Sequence, residues 1–468
     1  MSHTWSRCAE IPRTGAGPPD SERRKDNIHR KVSGELESAV AINHGEWKQG
    51  NAVEELIAVK IHFLRKRVSV ALTPVYASLC ALAQTHFPAF EEQIVNPDAE
   101  VVLAVDVADI NNDGKPDIVG VSDSYVAWYE NPAWTKHLIS GRLKGGNVCV
   151  AIHDLDGDGT PEMAVGADWQ FNNTESGGAL YFLKSADDVK QPWTATLLMD
   201  PVITLHRIRW ADPDGDGRQK LVVAPLKGRG STPPNHLETG ARLFLLRPPA
   251  DPVASKWGEE LISDSLHLMH NVWPMREADT KKDTILAASI EGVTAFTRDA
   301  SGSWSNVNLT ESLIGQPTAP GAGEIKSTLR TPVMHATIEP WHGNHVVVYA
   351  PRGKATTAEF AYQRHVLDDT YKGGHAVWWA DFDGDGDEDL LAGYRERSDA
   401  NGTYGLYVYA LDHDLETGGL SAVKHAVDVG GMATEDALAA DLNGDGRPDI
   451  VAGGRATHNI KCYLNQGR

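Results

Sequence analysis

The amino-acid sequence predicts an all-β fold, a seven-bladed β-propeller with four strands in each blade. Two observations lead to this prediction. A short strand that contains an aromatic residue recurs seven times, at intervals of roughly fifty to sixty residues, a period typical of propellers. An acidic turn of constant pattern also recurs five times, each time between two short apolar strands. Each blade therefore begins with strands A and B joined by a tight turn, and strand C follows.

The acidic turns define strands A and B. They share Asp, Asn and Gly at fixed offsets, which are residues that favour tight turns. The five copies are residues 109–117, 154–162, 212–220, 381–389 and 441–449. In the fourth and fifth repeats the turn is lost, but apolar strands persist at 284–289 and 332–338.

Strands C and D complete the blades. The copies of strand C are residues 126–129, 179–182, 242–245, 293–296, 346–349, 406–409 and 460–463. A strand D follows the first six of them, whereas the seventh copy runs into the end of the chain. We expect residues 90–95 to supply the missing strand, because a closed ring leaves no open sheet edge.

The residues before the propeller resemble a leader. Residues 1–60 show little periodicity and are not expected in the mature protein. Residues 61–83 combine basic residues, an apolar stretch and an Ala-Leu-Ala ending, as in a signal peptide. The sequence therefore predicts export, with a mature propeller over residues 84–468 and a true start near residue 60. The alternative is a buried helix, which Pro74 in the apolar stretch disfavours.

Composition limits the partners. The chain has 44 Lys and Arg against 64 Asp and Glu, a net charge of −20. This balance argues against a nucleic-acid or anionic membrane partner. The apolar runs are too short for a stable membrane span. Two of the four cysteines, Cys149 and Cys462, fall at different strand positions, so we expect free buried thiols. The sequence leaves the oligomeric state open.

The acidic turns resemble the first part of a calcium-binding loop, with alternating oxygen ligands, a glycine and a closing carboxylate. Repeated in a propeller, the pattern is similar to the FG-GAP/VCBS repeats. We expect structural Ca²⁺ in four turns. The expected ligands are Asp109, Asp113, Asp117, Asp154, Asp156, Asp158, Glu162, Asp381, Asp383, Asp385, Asp389, Asp441, Asn443, Asp445 and Asp449. In the third turn Lys220 takes the closing position and is expected to replace the ion. The alternative is that the turns are capped internally without metal.

A ligand site is predicted at one mouth of the central channel. In a propeller the starts of the A strands and the loops joining B to C open on the same face. The A strands bring His206, His270, Glu324 and His375 to this face. The B–C loops bring Trp169, Lys227, Glu339, Trp341, His342 and Arg395. A single histidine there is more often a hydrogen-bonded channel residue, but convergence from several blades indicates a functional site.

Several short stretches resemble the propeller domain of aldos-2-ulose dehydratase. They are residues 269–272, 339–344, 364–368 and 380–386. This resemblance implies dehydration of an oxidised sugar such as anhydrofructose, near a bound metal. The isomerase step of that family belongs to cupin domains and is not expected from a propeller. Seven-bladed propeller polysaccharide lyases, which act on uronate-containing glycans, are a second resemblance.

Both families carry out β-elimination, in which a base removes a proton next to a carbonyl or carboxylate. Histidine suits the base, and a cation or metal suits the enolate that develops. His270 and His342 are the strongest candidates for catalytic residues, and His206 and His375 are the next. We also expect Zn²⁺ or a similar ion at this histidine cluster. Lys227 and Arg395 are expected to hold substrate oxygens, and Trp169 and Trp341 to stack on the sugar.

Two other classes of function remain open at this stage. A secreted propeller that binds a glycan or protein without catalysis needs aromatic and hydrogen-bonding residues, but no histidine cluster. A rhamnosidase-type hydrolase needs two carboxylates at working separation, for which Glu324 and Glu339 are the candidates.

Overall fold

The computed structural model describes residues 87–234, 236–310, 321–351, 362–414 and 416–468. Within these ranges the chain forms 28 strands and no helix. The strands build seven antiparallel sheets of four strands each. The predicted seven-bladed propeller is therefore confirmed. The leader-like segment and the residues before it lie outside the described part of the chain.

The strands follow the chain blade by blade, each blade ordered from the channel outwards. The N-terminal strand is β1 (Phe90–Asn96). Blade one contains β2 (Val102–Ala108), β3 (Asp117–Ser122), β4 (Tyr125–Glu130) and β5 (Thr135–Gly141). Blade two contains β6 (Asn147–His153), β7 (Glu162–Ala167), β8 (Ala179–Lys184) and β9 (Thr194–Met199). Blade three contains β10 (Leu205–Ala211), β11 (Lys220–Pro225), β12 (Ala241–Arg247) and β13 (Gly258–Leu266). Blade four contains β14 (Asn271–Arg276), β15 (Asp283–Ser289), β16 (Gly292–Arg298) and β17 (Trp304–Asn308).

Blades five to seven repeat this order. Blade five contains β18 (Lys326–Ser327), β19 (His335–Glu339), β20 (His345–Pro351) and β21 (Tyr362–Asp368). Blade six contains β22 (Gly374–Ala380), β23 (Asp389–Tyr394), β24 (Gly405–Asp414) and β25 (Gly419–Val429). Blade seven contains β26 (Thr434–Ala440), β27 (Asp449–Gly454) and β28 (Ile460–Asn465), and β1 is its fourth strand. β1 pairs antiparallel with β28, with Phe90 opposite Asn465, as the missing strand D predicts.

The core lies between adjacent blades, where the B strands are buried on both faces. Small residues in these strands let the blades approach closely. A Cβ added at Gly120 would lie 2.5 Å from Ile460, and one at Gly453 would lie 2.5 Å from Val102. Since both distances are below those of real contacts, a side chain at either position would force its neighbour to move, and glycine avoids this.

Two further predictions concern cysteines and membranes. Cys149 and Cys462 are buried and form no disulfide, as predicted. In the described part of the chain, no helix has the length and apolar character that a membrane crossing requires.

Candidate active site

Four histidines meet at one mouth of the channel. His206 and His375 lie near the starts of β10 and β22, His270 directly precedes β14, and His342 lies in the loop between β19 and β20. The ring centre of His270 is 4.5 Å from that of His206, 4.3 Å from that of His342 and 5.0 Å from that of His375. All four residues that the sequence analysis ranked as catalytic thus form one cluster.

Backbone carbonyls fix the orientation of three of these rings. The Nδ1 atom of His206 lies 3.0 Å from the carbonyl oxygen of His270. Nδ1 of His270 lies 2.6 Å from the oxygen of Gly323, and Nδ1 of His375 lies 2.5 Å from that of Glu435. A carbonyl only accepts, so each Nδ1 carries the proton and each Nε2 has a free lone pair.

His342 has the opposite tautomer. Nη2 of Arg395 lies 3.1 Å from its Nδ1, and because a guanidinium only donates, this Nδ1 accepts. The proton of His342 is therefore on Nε2, which lies 2.6 Å from Nε2 of His270 and donates to it. The backbone of His342 has a φ of 51°, a left-handed conformation that is unusual outside glycine and frequent at functional sites.

The cluster is electrically neutral at neutral pH. Burial is the main cause that lowers the pKa of His206, His270, His342 and His375, and nearby positive charge on Arg207 or Arg395 adds to it. Neutral imidazoles can accept a proton or bind a metal, so the site favours both kinds of chemistry.

Two buried carboxylates support the cluster. Oε1 of Glu324 lies 3.2 Å from Nδ1 of His270, and burial raises the pKa of this carboxyl group. Glu435 accepts hydrogen bonds from Arg395 at 3.0 Å and from Arg455 at 2.7 Å. The sequence places Glu435 and Arg455 at this same mouth, although neither was assigned a catalytic, substrate-binding or metal-binding role. Glu435 lies at the start of strand A and Arg455 in the B–C loop of blade seven. These are the same blade positions that the predicted site residues occupy in other blades, and this repeat position is the sequence signal for them.

Aromatic side chains form one wall of the mouth. The Trp341 ring stacks on His342, with centroids 4.4 Å apart, and lies nearly parallel to Phe171 at 6.4 Å. Trp169 is 5.5 Å from His206 and 5.7 Å from Phe171. The indole N–H groups of both tryptophans are buried without a hydrogen-bond partner among the described residues. A ligand with acceptor oxygens would satisfy them. Phe171 was not predicted, because nothing in a long polar loop distinguishes the aromatic residue that folds inward.

Glu339 does not join the cluster, and this differs from the expected substrate-binding role. One carboxylate oxygen accepts from the hydroxyl of Tyr349 at 2.7 Å, and the other from Nε of Arg364 at 2.8 Å. These partners lie on β20 and β21, so the side chain points along blade five rather than into the mouth. The contacts therefore do not support pairing of Glu339 with Glu324 as hydrolase carboxylates.

The histidines fit a divalent metal. Nitrogen atoms of His270, His342 and His375 lie within 4.8 Å of one another. In His270 and His375 the Nδ1–H donates to a carbonyl and leaves Nε2 available, which is the usual arrangement of metal-binding histidines. His342 would bind through Nε2 only after its proton moved to Nδ1, beside the Arg395 guanidinium. The fit is thus direct for two rings and indirect for the third.

The acidic turns lie at the other end of the A strands. Carboxylate oxygens within 4.8 Å of one another occur in Asp154, Asp156 and Glu162, and in Asp381, Asp383 and Asp385. Amines also enter these turns. Lys184 contacts Asp156 and Glu162 in blade two. In blade three, Nζ of Lys220 lies 3.2, 3.0 and 2.5 Å from Asp212, Asp214 and Asp216, as expected of an ammonium that takes an ion's place.

The closing carboxylates hold the backbone. Asp117 accepts from the N–H groups of Ile110 at 3.0 Å and Asn131 at 2.9 Å. Asp449 accepts in the same way from Leu442 and Asn465. Each closing carboxylate thus links the start of strand B to the turn and to the end of strand C or the residue that follows it. The resemblance to calcium-binding loops did not predict this structural role.

Comparison with known proteins agrees with this architecture. Residues 93–165 match a family model described as FG-GAP-like repeat. No curated protein matches the chain. Residues 177–352 match the model described as aldos-2-ulose dehydratase, beta-propeller domain. That region contains His206, His270 and His342, so the part of the chain that carries most of the cluster is similar to the propeller domain of aldos-2-ulose dehydratase.

Proposed function

We propose that the protein is a carbohydrate-active lyase that eliminates water from an oxidised sugar at the mouth of the propeller. The observation that supports this most is the neutral cluster of His270, His342 and His375, with Glu324 behind it and Arg395 beside it. A base, a hydrogen-bond donor and a fixed cation within one small site are what β-elimination needs.

His270 is the base in this proposal. Its Nε2 accepts a hydrogen bond from His342, and when substrate takes over that donor the lone pair takes the proton from the carbon next to the substrate carbonyl. The resulting imidazolium is stabilised by Glu324, whose Oε1 lies 3.2 Å from Nδ1. A carboxylate in this position raises the basicity of a histidine whose pKa burial alone would hold low.

His342 and Arg395 act on the oxygens. The Nε2–H of His342 points towards His270 and can instead donate to the departing hydroxyl group. The guanidinium of Arg395, held by Glu435, supplies the positive charge that stabilises the enolate. If His270, His342 and His375 hold a Zn²⁺-like ion instead, that ion would polarise the carbonyl oxygen as a Lewis acid, and the base would have to be another group such as His206, because Nε2 of His270 would be bound to the metal.

The aromatic wall suggests why a sugar would bind. Trp169, Phe171 and Trp341 present apolar faces on which a sugar ring can stack, and the two unpartnered indole N–H groups are donors for its hydroxyl oxygens. The same wall favours the second candidate, a non-catalytic glycan-binding propeller. That alternative leaves the histidine cluster without a role.

The test is absorbance in the ultraviolet, where elimination produces a new conjugated double bond. The purified protein is mixed with keto-sugars such as anhydrofructose and, separately, with uronate-containing glycans, with divalent metals supplied. A response to keto-sugars supports the dehydratase, and a response to uronates indicates a glycan lyase. If the absorbance changes with neither class of substrate, and calorimetry shows that a glycan binds, the result would favour the non-catalytic binding propeller.

Variants assign the activity to the cluster. His270→Ala and His342→Ala should each lower turnover by about a hundredfold or more, because each removes a proton-transferring group. His365→Ala, on outer strand β21, is the matched control and should leave turnover unchanged. Equal turnover in all three folded variants would refute the proposed site.

We also propose that the protein is exported, on the evidence of the leader-like residues 61–83. Expression with residues 60–468 in a secreting host should yield a mature chain that begins at Gln84. A chain retained in the cytoplasm with an intact leader would contradict this proposal.

A further inference from the structure

Lys227 is a buried amine that the described residues leave without a counter-ion. It follows β11 in the long loop to β12, and only 1% of it is exposed. Among the described residues, no carboxylate lies within ion-pair distance of its Nζ. Nζ instead donates to the carbonyl of Phe171 at 2.6 Å and lies 3.6 Å above the Phe171 ring. Buried lysines are normally paired, so this one suggests a function beyond stability.

The main chain of Lys227 is held in place. Its backbone N–H donates to the hydroxyl of Thr204 at 2.9 Å, and that hydroxyl donates to the backbone carbonyl of Lys227 at 3.2 Å. Burial lowers the pKa of Lys227 to about 8. At pH 7 roughly a tenth of the amine is therefore uncharged, and an uncharged, desolvated lysine is a nucleophile towards carbonyl groups.

This amine belongs to the same mouth as the histidines. Phe171, which lies over Nζ, is nearly parallel to Trp341, and Trp341 stacks on His342. The Phe171 ring covers the amine and the residue is 40% exposed, so a ligand reaches Nζ only when this ring moves. A sugar that stacks on this wall would bring its carbonyl group towards Lys227.

We propose that Lys227 condenses with the carbonyl group of an oxidised sugar and forms an imine, an inference that rests on the proposed function for the class of substrate. The nitrogen forms a bond to the carbonyl carbon, and the carbonyl oxygen leaves as water with the two amine protons. The neutral imine then takes up one proton from solvent. The protonated imine withdraws electrons from the neighbouring carbon, which makes that carbon's proton easier to remove. Addition of water later releases the product and restores the amine.

Reductive trapping tests the inference. The full chain is incubated at pH 7 with anhydrofructose and cyanoborohydride, which reduces an imine to a stable amine, and labelled lysines are identified by peptide mass spectrometry. Lys227 should be labelled at least about tenfold faster than Lys144, which is exposed and paired with Asp200, because more of its amine is uncharged.

The variants Lys227→Arg and Lys144→Arg provide the matched comparison. The first should abolish the fast labelling and lower elimination at least about tenfold, and the second should change neither. Labelling of Lys227 no faster than that of Lys144 in the wild-type protein would overturn the inference, whether or not a variant folds.

The two proposals fail separately. A Lys227 adduct without a new absorbance would support the imine and refute the elimination. Wild-type elimination by a folded Lys227→Arg variant would refute the imine and leave the lyase intact.

Discussion

His335 is a buried histidine outside the mouth, and its environment makes the stability of the protein depend on pH. Its Nδ1 lies 2.7 Å from the hydroxyl of Ser327, and burial lowers the pKa of the ring to about 4. In the unfolded chain the pKa returns to about 6.5. Between these values the unfolded state binds a proton that the folded state does not, so the free energy of unfolding falls as the pH falls from 6.5 to 4.

As the pH falls from 6.5 to 4, the free energy of unfolding should therefore decrease less for His335→Asn than for the wild-type protein. The difference between the two decreases should be at most about 3 kcal/mol. Denaturant unfolding at pH 4, 5 and 7 measures the difference. If His335→Asn shows the same slope as wild type, His335 is not neutral in the fold.

The sequence predicts which residues lie at the mouth, but not how each side chain is oriented there or which partners it contacts. The four histidines were predicted because they recur at strand starts or in B–C loops, and these positions converge in any propeller. Glu339 is the last residue of β19 and its carboxylate pairs with Tyr349 and Arg364, so a contact with substrate stays a prediction that local sequence could not refine. Phe171 and the tautomer of His342 depend on contacts between blades that no local pattern encodes.

At the scale of the elements, the acidic turns differ in what fills them. In blade six, Asp381, Asp383 and Asp385 converge, whereas in blade three the amine of Lys220 lies among the carboxylates. Ca²⁺ should therefore raise the melting temperature of the wild-type protein, because it binds the folded turn and neutralises the carboxylates.

Asp383→Asn should reduce this calcium-dependent increase, as measured by thermal unfolding with and without Ca²⁺ after treatment with a chelator. Asp214→Asn, in the lysine-filled turn, is the matched control and should keep the full calcium response. An equal response in both variants would mean that blade six does not supply the calcium site.

The closing carboxylates give a second prediction for the turns. Asp117 is fully buried and accepts two backbone N–H groups, which would have no partner in Asp117→Ala. This variant should lose about 2–4 kcal/mol of stability in denaturant unfolding. Asp113→Ala, in the exposed part of the same turn, should lose about 1 kcal/mol or less. Comparable losses would show that the staple is not specific to position 117.

The elements themselves were well predicted. Each acidic turn signals two strands, and the aromatic C strands fix the period, so seven blades follow from the repeat alone. Blades four and five are harder to recognise in the sequence because they lack the acidic turn. Their apolar runs of strand length are the signal that remains. The sequence did not show that the closing carboxylates accept hydrogen bonds from the backbone. An aspartate at this position can either bind a metal or accept backbone N–H groups, and the residue type is the same in both cases.

For the whole molecule, stability depends on β1. This strand pairs with β28 and completes blade seven, so its removal would expose the hydrogen-bonding edge of β28. A chain that begins at residue 97 should melt at a lower temperature and aggregate, whereas one that begins at residue 84 should fold. Circular dichroism and size-exclusion chromatography measure both, and equal melting temperatures would contradict the role of β1.

Closure by the first and last strands also determines when folding can finish. Six blades are built from consecutive residues and can form while the chain is being synthesised, but blade seven waits until its final strand has left the ribosome. The two ends of the propeller meet, with the N–H of Gln466 donating to the carbonyl of Ala89 at 3.0 Å. A short linker between them and a new opening in an outer loop would give a circular permutant whose seventh blade is covalently continuous.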